Sequence, residues 1–396
     1  MNTKRRGEGE FPGGRLGALL GAAVVAVAGF SITAVAQQLT TLYSFTGSGS
    51  NGANPAASLI ADPAGNLYGT TLNGGAGGQG TVFQLDPSGN LTVLYSFAGG
   101  DGSHPRAALI ADAAGNLYGT TINGGTQDAG TVFQLTPSGT LKLLYSFTGG
   151  GDGALPFAGL IADAAGNLYG TTNGGGASGQ GTVFQLDSSG TLNVLYSFTG
   201  GNEASPWAGL IADAAGNLYG STEGGDGPGA VFQLMPSGAL NVLHSFTGRD
   251  GAVPHGGLMF DAAGNLYGTT HNGGASGYGT VFQLTPVGAL NVLYSFTGGS
   301  DGGFPHAGLI AALITGTAGK LYGMTISGGG LANVGTVFEI ADSGFVFFAG
   351  TQGKPNCQDQ SVSALARQYG GLAAAAAALG TNVQSLQNDI AAYCAG

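Results

Sequence analysis

The chain has little charge. Only 8% of its 396 residues are Asp, Glu, Lys or Arg, against roughly 25% in an ordinary soluble domain. Lys plus Arg number 10 and Asp plus Glu 21, leaving a net charge of −11. Nucleic-acid affinity comes mainly from basic side chains that neutralise phosphates, and no basic cluster exists past Arg15. That argues against nucleic acid, and against acidic membrane surfaces, as partners. Cysteine is scarce too, with Cys357 and Cys394 alone, too few for a structural zinc site of four ligands. No G-x-S-x-G, P-loop or H-E-x-x-H motif occurs, so no catalytic residue set can be named from motifs.

Glycine is in excess, at 80 of 396 residues, about threefold ordinary usage. In an aperiodic chain this would mean disorder. Here the 43% of apolar residues arrive in regular short blocks, the pattern of a folded, loop-rich β protein.

The N-terminus has the form of an export signal. Lys4, Arg5, Arg6 and Arg15 precede the apolar run at 16–30, and AVA follows at 34–36. Small residues stand at the two positions a signal peptidase reads, which predicts a mature chain from Gln37. An uncleaved anchor is the alternative, since 16–36 just reaches the length of a bilayer span. In an exported chain, two cysteines bracketing one short segment predict a Cys357–Cys394 disulfide.

The body is a tandem repeat. In GNLYG (GKLYG in the last copy), the first glycine falls at 65, 115, 166, 216, 264 and 319, spacings of 50, 51, 50, 48 and 55. The last copy is lengthened by AALI at 311–314. Each copy holds four apolar blocks; in the third they are GLIAD (159–163), NLYGTT (167–172), GTVFQL (181–186) and LNVLYSF (192–198). Short runs of Val, Leu, Ile, Tyr and Phe bounded by Gly or Pro are strand signals. DAAGN and PSG-type turns join the first to the second and the third to the fourth block as hairpins. The other two connections are long and glycine-rich. Alternating strand direction then puts all short hairpins on one face and all long loops on the other. Six units of four antiparallel strands at this period predict an all-β fold, a six-bladed β-propeller. The domain plan is a signal peptide (1–36), a propeller (37–349) and a disulfide-bracketed helical tail (350–396). LTTLYSF (39–45) and FVFF (345–348) compete to complete the sixth blade, and the former matches the motif fully.

The phrase P-x-A-G-L-I-A-D-A-A-G-N-L-Y-G resembles the blade signature of NHL-type propellers. The whole unit, with its LYSF and GTVFQL blocks, resembles the GloVer tandem repeats of exported bacterial proteins, over residues 39 to 348. That resemblance implies a propeller with GLIAD as its innermost strand. It implies no reaction.

Repeated polar residues read as structure. Asp62, Asp112, Asp163, Asp213 and Asp261 open hairpin turns, where an Asp carboxylate takes backbone N–H groups. Gln84, Gln134, Gln185, Gln233, Gln283 and Glu339 recur at one strand position and are expected to bond blade to blade. His244 replaces the tyrosine of LYSF and reads as a tolerated core substitution. Asp101, Asp152, Asp250 and Asp301 recur in the long loops; oxygen ligands from loops suit calcium, although D-G pairs are turn chemistry by default, and apart from calcium no cofactor is expected.

Two positions break the pattern. The residue after the proline is Ala56, Arg106, Phe157, Trp207, His255 and His306 in turn. The residue opening the second long loop is Leu72, Ile122, Asn173, Glu223, His271 and Ile326. Blade packing would force repetition, so these positions are expected to face solvent or a ligand at the long-loop mouth of the channel. The candidate ligand-binding set is Arg106, Phe157, Trp207, Glu223, His255, His271 and His306, with Trp207 and Phe157 suited to stacking on sugar rings.

In the tail, Val383, Leu386, Ile390 and Tyr393 share one helical face. The segment is similar to Cys-bracketed, Ala-rich tails on other exported bacterial proteins. The reading is an exported binding or surface scaffold module without catalytic activity, its partner a carbohydrate or cell-envelope component. A propeller enzyme of lyase or lactonase type is the alternative.

Overall fold

The four apolar blocks of each repeat form four strands because each is too short for a helix and ends in a residue that turns the chain. In the third repeat of the computed structural model the strands are Ile161–Ala162, Leu168–Thr172, Thr182–Leu186 and Leu192–Ser197. They pair in chain order, all antiparallel. The same order recurs in the first five repeats, and six four-stranded sheets make a six-bladed β-propeller. The structure describes residues 41–45, 51–312, 320–329, 334–341 and 343, and parts of 357–395. The expected signal segment and FVFF lie outside the described residues.

The core lies between blades. Val132 and Phe147 of the second blade pack with Leu160, Leu168, Phe184 and Leu186 of the third, and equivalent clusters join each later pair. Fully burying one such side chain is worth about 1.5–3 kcal/mol. Phe147 stands edge-on to Phe184 at 5.3 Å, a favoured aromatic geometry. A Cβ on Gly170 would sit 2.6 Å from Phe184 Cζ, so NLYG must keep its glycine for that ring to lie flat on the neighbouring strand. A register shift at Val183/Phe184 resets the side-chain alternation of the outer strand. Leu195 and Tyr196, adjacent in sequence, thereby reach one interblade cluster.

The hairpin aspartates hold their turns as expected. Asp163 Oδ1 accepts from Ala165 N and Asn167 N, both at 2.9 Å, and Oδ2 from Asn167 Nδ2 at 2.8 Å and Tyr169 OH at 3.0 Å. The glutamine series behaves otherwise than expected: Gln185 Nε2 donates to Tyr169 OH of its own blade at 2.9 Å. The strand alternation points glutamine at the tyrosine directly opposite it, and threonine makes the bond between blades instead. His244 is no core residue either. It keeps the hydrogen bond that tyrosine makes elsewhere, to Asp250 at 2.9 Å. Two departures in the last copy answer each other, with Lys320 Nζ 2.8 Å from Glu339 Oε1.

The sixth blade differs. Gly303–Pro305 and Ile310–Ala312 both pair with Lys320–Ser327, which pairs with Thr336–Ile340. Phe45 stands edge-on to Phe83 at 5.3 Å, as Phe147 does to Phe184, and Asn51 bonds the Tyr43 hydroxyl. Val337 is 78% exposed where its counterpart Val183 is 0%, so the sixth blade does not bury this position as the third does.

The tail contributes a helix, Val383–Ala395. Leu386 and Ile390 bury against Leu365, Ala375 and Ala376 beside the Cys357–Cys394 disulfide. Val383 remains 36% exposed. No described helix is long and apolar enough to cross a membrane.

Candidate functional site

In the second to sixth copies the residue after the proline is placed by contacts with the blade before it. The proline packs on a glycine there: a Cβ on Gly130 would lie 2.5 Å from Pro156 Cδ. The alanine that follows accepts from a threonine of the preceding blade, Thr120 Oγ1 to Ala158 O at 3.0 Å and Thr269 Oγ1 to Ala307 O at 3.2 Å. The residue before the proline donates its N–H backward, Leu155 to Ala129 O at 2.9 Å, Ser205 to Gln180 O at 2.8 Å and Phe304 to Tyr278 O at 2.7 Å. That residue sits at φ 55–57° in all six copies, as Asn54, His104, Leu155, Ser205, Val253 and Phe304. None is glycine, and Val253 is β-branched, so the conformation is strained by about 1–3 kcal/mol a residue. Packing and hydrogen bonds together hold these five loop tips in place.

The clamped tips converge. Phe157 stacks on Trp207 at 4.3 Å, and Trp207 on His255 at 4.9 Å. His306 lies 4.9 Å from His255 and 6.4 Å from Trp207. The Arg106 guanidinium carbon is 4.6 Å from the Trp207 ring centroid and 5.5 Å from that of Phe157, and Nη2 is 3.5 Å from His306 Nε2. The second varying position joins the cluster in two blades: Glu223 Oε1 is 2.5 Å from His255 Nε2, and His271 is 4.7 Å from His255. All seven candidate residues, from five blades, therefore form one half-buried contact network. These positions, expected to face solvent or a ligand, also face one another. Trp207 already has two near-parallel ring partners, so a sugar could stack on it only by displacing one.

Sequence reasoning missed Phe304, whose ring is 5.2 Å from His271. The signal was present, since the residue before the proline varies as freely as the one after it.

Burial and neighbouring charge set the protonation of the site. Burial first, then His255, Arg106 and His271, pull the His306 pKa down to about 4, against the field of Glu223. Burial also lowers His271, opposed by its bond to Asn272. His306 is thus neutral at pH 7, and because arginine only donates, His306 Nε2 is the acceptor in that pair. The Glu223 carboxylate only accepts, so His255 Nε2 carries the hydrogen between them. His255 Nδ1 is buried with no hydrogen-bond partner, which ordinarily costs about 1–3 kcal/mol. Burial lowers the Arg106 pKa, countered by Glu223.

The loop carboxylates are elsewhere and already engaged. Asp152 accepts from Tyr145 OH at 3.0 Å and Thr148 N at 2.8 Å, and Asp301 from Tyr294 OH at 3.0 Å and Thr297 N at 2.9 Å. Asp101 takes Ala98 N at 2.9 Å and the Tyr95 hydroxyl, and Asp250 takes Thr247 N at 2.8 Å and His244. Among the described residues no three His, Cys, Asp or Glu side chains are placed to hold a metal ion.

Comparison with known proteins bears on the family. No curated protein matches the chain. Similar solved structures include a gluconolactonase from Xanthomonas campestris, 17% identical over 69% of this chain and 83% of that one, TM-score 0.43. TolB from Acinetobacter baumannii is 14% identical over 67% of this chain and 58% of that one, TM-score 0.40. Likenesses this distant say nothing of what this chain binds. The profile of the Gloeobacter/Verrucomicrobia repeat matches residues 21–228 and 223–383, nearly the whole sequence. The chain belongs to the Gloeobacter/Verrucomicrobia repeat family.

Proposed function

We propose that the protein is an exported propeller that binds a small ligand at its long-loop mouth, through Arg106, Phe157, Trp207, Glu223, His255, His271 and His306. One observation carries this reading. The non-repeating side chains of five blades meet in a single half-buried network, on loop tips held in strained backbone. Concave sites that mix apolar rings with few polar groups are typical of small-molecule binding. Export is supported by the Cys357–Cys394 disulfide and by the N-terminal charge and apolar pattern, since such bonds persist in oxidising compartments.

Trp207 is the only tryptophan and reports on the site directly. Its fluorescence in the mature chain from Gln37, followed against glycans, cell-wall fragments, calcium and zinc, is expected to shift saturably with one of them. The shift is expected to disappear in Phe157→Ala and His255→Ala. A folded protein that responds to nothing in the panel would overturn the reading.

A second reading, a propeller enzyme of lyase or lactonase type acting on a sugar or cell-wall substrate, is favoured by the Glu223–His255 pair. A carboxylate that orients an imidazole is a recurrent acid–base arrangement. Turnover of such a substrate that is abolished in Glu223→Gln, with binding retained, would establish it.

A further inference from the structure

The mouth has one cation that nothing neutralises at close range. Arg106 is half-buried, yet among the described residues it makes no ion pair; the ion pairs of the described residues lie at His244–Asp250, His255–Glu223 and Lys320–Glu339. Glu223, whose field reaches Arg106, is itself held by His255 at 2.5 Å. The rings of Trp207 and Phe157 attract the guanidinium through their faces but accept no conventional hydrogen bond. Among the described residues His306 Nε2 is the one acceptor it bonds, at 3.5 Å, while a guanidinium presents five N–H donors. Elsewhere the chain spends carboxylates freely, placing Asp163 and its copies opposite exposed turn amides. At the mouth, where desolvation makes a partner worth most, it supplies none to Arg106.

We propose that this missing partner is the ligand's own: the mouth takes a small organic carboxylate, its two oxygens on the Arg106 guanidinium and its ring or apolar body against the Phe157–Trp207 pair. The inference rests on the binding reading above and deepens it. A planar carboxylate matches the guanidinium fork in a bidentate pair. His306 and His271 add no positive charge at neutral pH, and Glu223 stands nearby to repel a second negative charge.

The test uses the mature chain and Trp207 emission, with benzoate, the neutral isostere benzamide and inorganic sulfate as probes. Benzoate is expected to bind saturably, benzamide at least tenfold more weakly, and sulfate to displace benzoate only at far higher concentration. Arg106→Gln is expected to remove the preference for benzoate over benzamide. Arg106→Lys, which keeps the charge without the fork, should retain part of it; circular dichroism confirms that both variants fold. Equal binding of benzoate and benzamide would overturn the carboxylate inference and leave the mouth as a binding site. Sulfate competing on equal terms would overturn it too, in favour of a bare anion. Silence toward all three probes in a protein that responds to a neutral glycan would remove the inference alone, and silence toward every ligand would remove both.

Discussion

The two faces of the propeller are built by opposite rules. On the short-hairpin face, Asp62, Asp112, Asp163, Asp213 and Asp261 make the same bonds to their own turns, with distances that scarcely change from blade to blade. On the long-loop face, the position after the proline never holds the same residue in three blades. The difference follows from what each position touches. A hairpin aspartate bonds its own turn and the tyrosine of its own blade, so one solution serves the first five copies. The residue after the proline meets its counterparts from other blades, as Arg106 meets His306 from 200 positions away. Six copies of a cation there would repel, and six tryptophans would not fit. Repetition is stable where copies meet a constant neighbour, and unstable where they meet each other.

The largest expected effect lies in the repeated interior. Phe184→Ala removes a side chain with 0% exposure that is shared between two blades, and should cost about 3–5 kcal/mol in chemical denaturation. The same change at Phe133 or Phe232, also buried and ringed by equivalent neighbours, should cost nearly as much. A wide spread among the three would break the equivalence of blades.

Next comes the hairpin clasp. Asp213→Ala forfeits bonds to Ala215 N, Asn217 N, Asn217 Nδ2 and Tyr219 OH, and should destabilise by about 1–3 kcal/mol. Urea midpoints measure it.

The mouth should reveal itself in acid. The His306 pKa is lowered from 6.5 to about 4 in the folded chain, so between those values the unfolded chain binds more protons. Stability therefore falls as pH drops from 6.5 toward 4. Discounted for the solvent that still reaches the half-exposed ring, the loss is about 1–2 kcal/mol. His306→Phe should flatten that interval. The hairpin aspartates, with pKa values below their ordinary 3.8, act only at lower pH.

The smallest effect is expected for His244→Tyr. It restores the tyrosine that bonds the loop aspartate in other blades, as Tyr145 does Asp152, and stability should change by no more than about 0.5 kcal/mol.

Much of this contrast was legible in the sequence, because a repeat displays its own constraints. The fifty-residue period marked the blades, Gly and Asp marked the hairpins, and the varying positions marked the mouth. What could not be read was direction and contact. Nothing in Gln185 says that its partner is Tyr169 of the same blade rather than a neighbouring blade. His244 looked like a core residue because LYSF is apolar, but the bulge of the outer strand brings that position to the loop aspartate. The pairing of Trp207 with Phe157 and His255 depends on ring closure, which places residues about fifty positions apart within van der Waals reach.

The convergence of side chains at the mouth is the central claim, and Trp207 emission as a function of pH tests it most directly. A protonated imidazole quenches an adjacent indole. The account predicts a quenching step with its midpoint near pH 4, the His306 value, lost in His306→Phe, with far-UV circular dichroism constant through the step. No quenching step near pH 4 in wild type, or the same step kept in His306→Phe, would contradict the account.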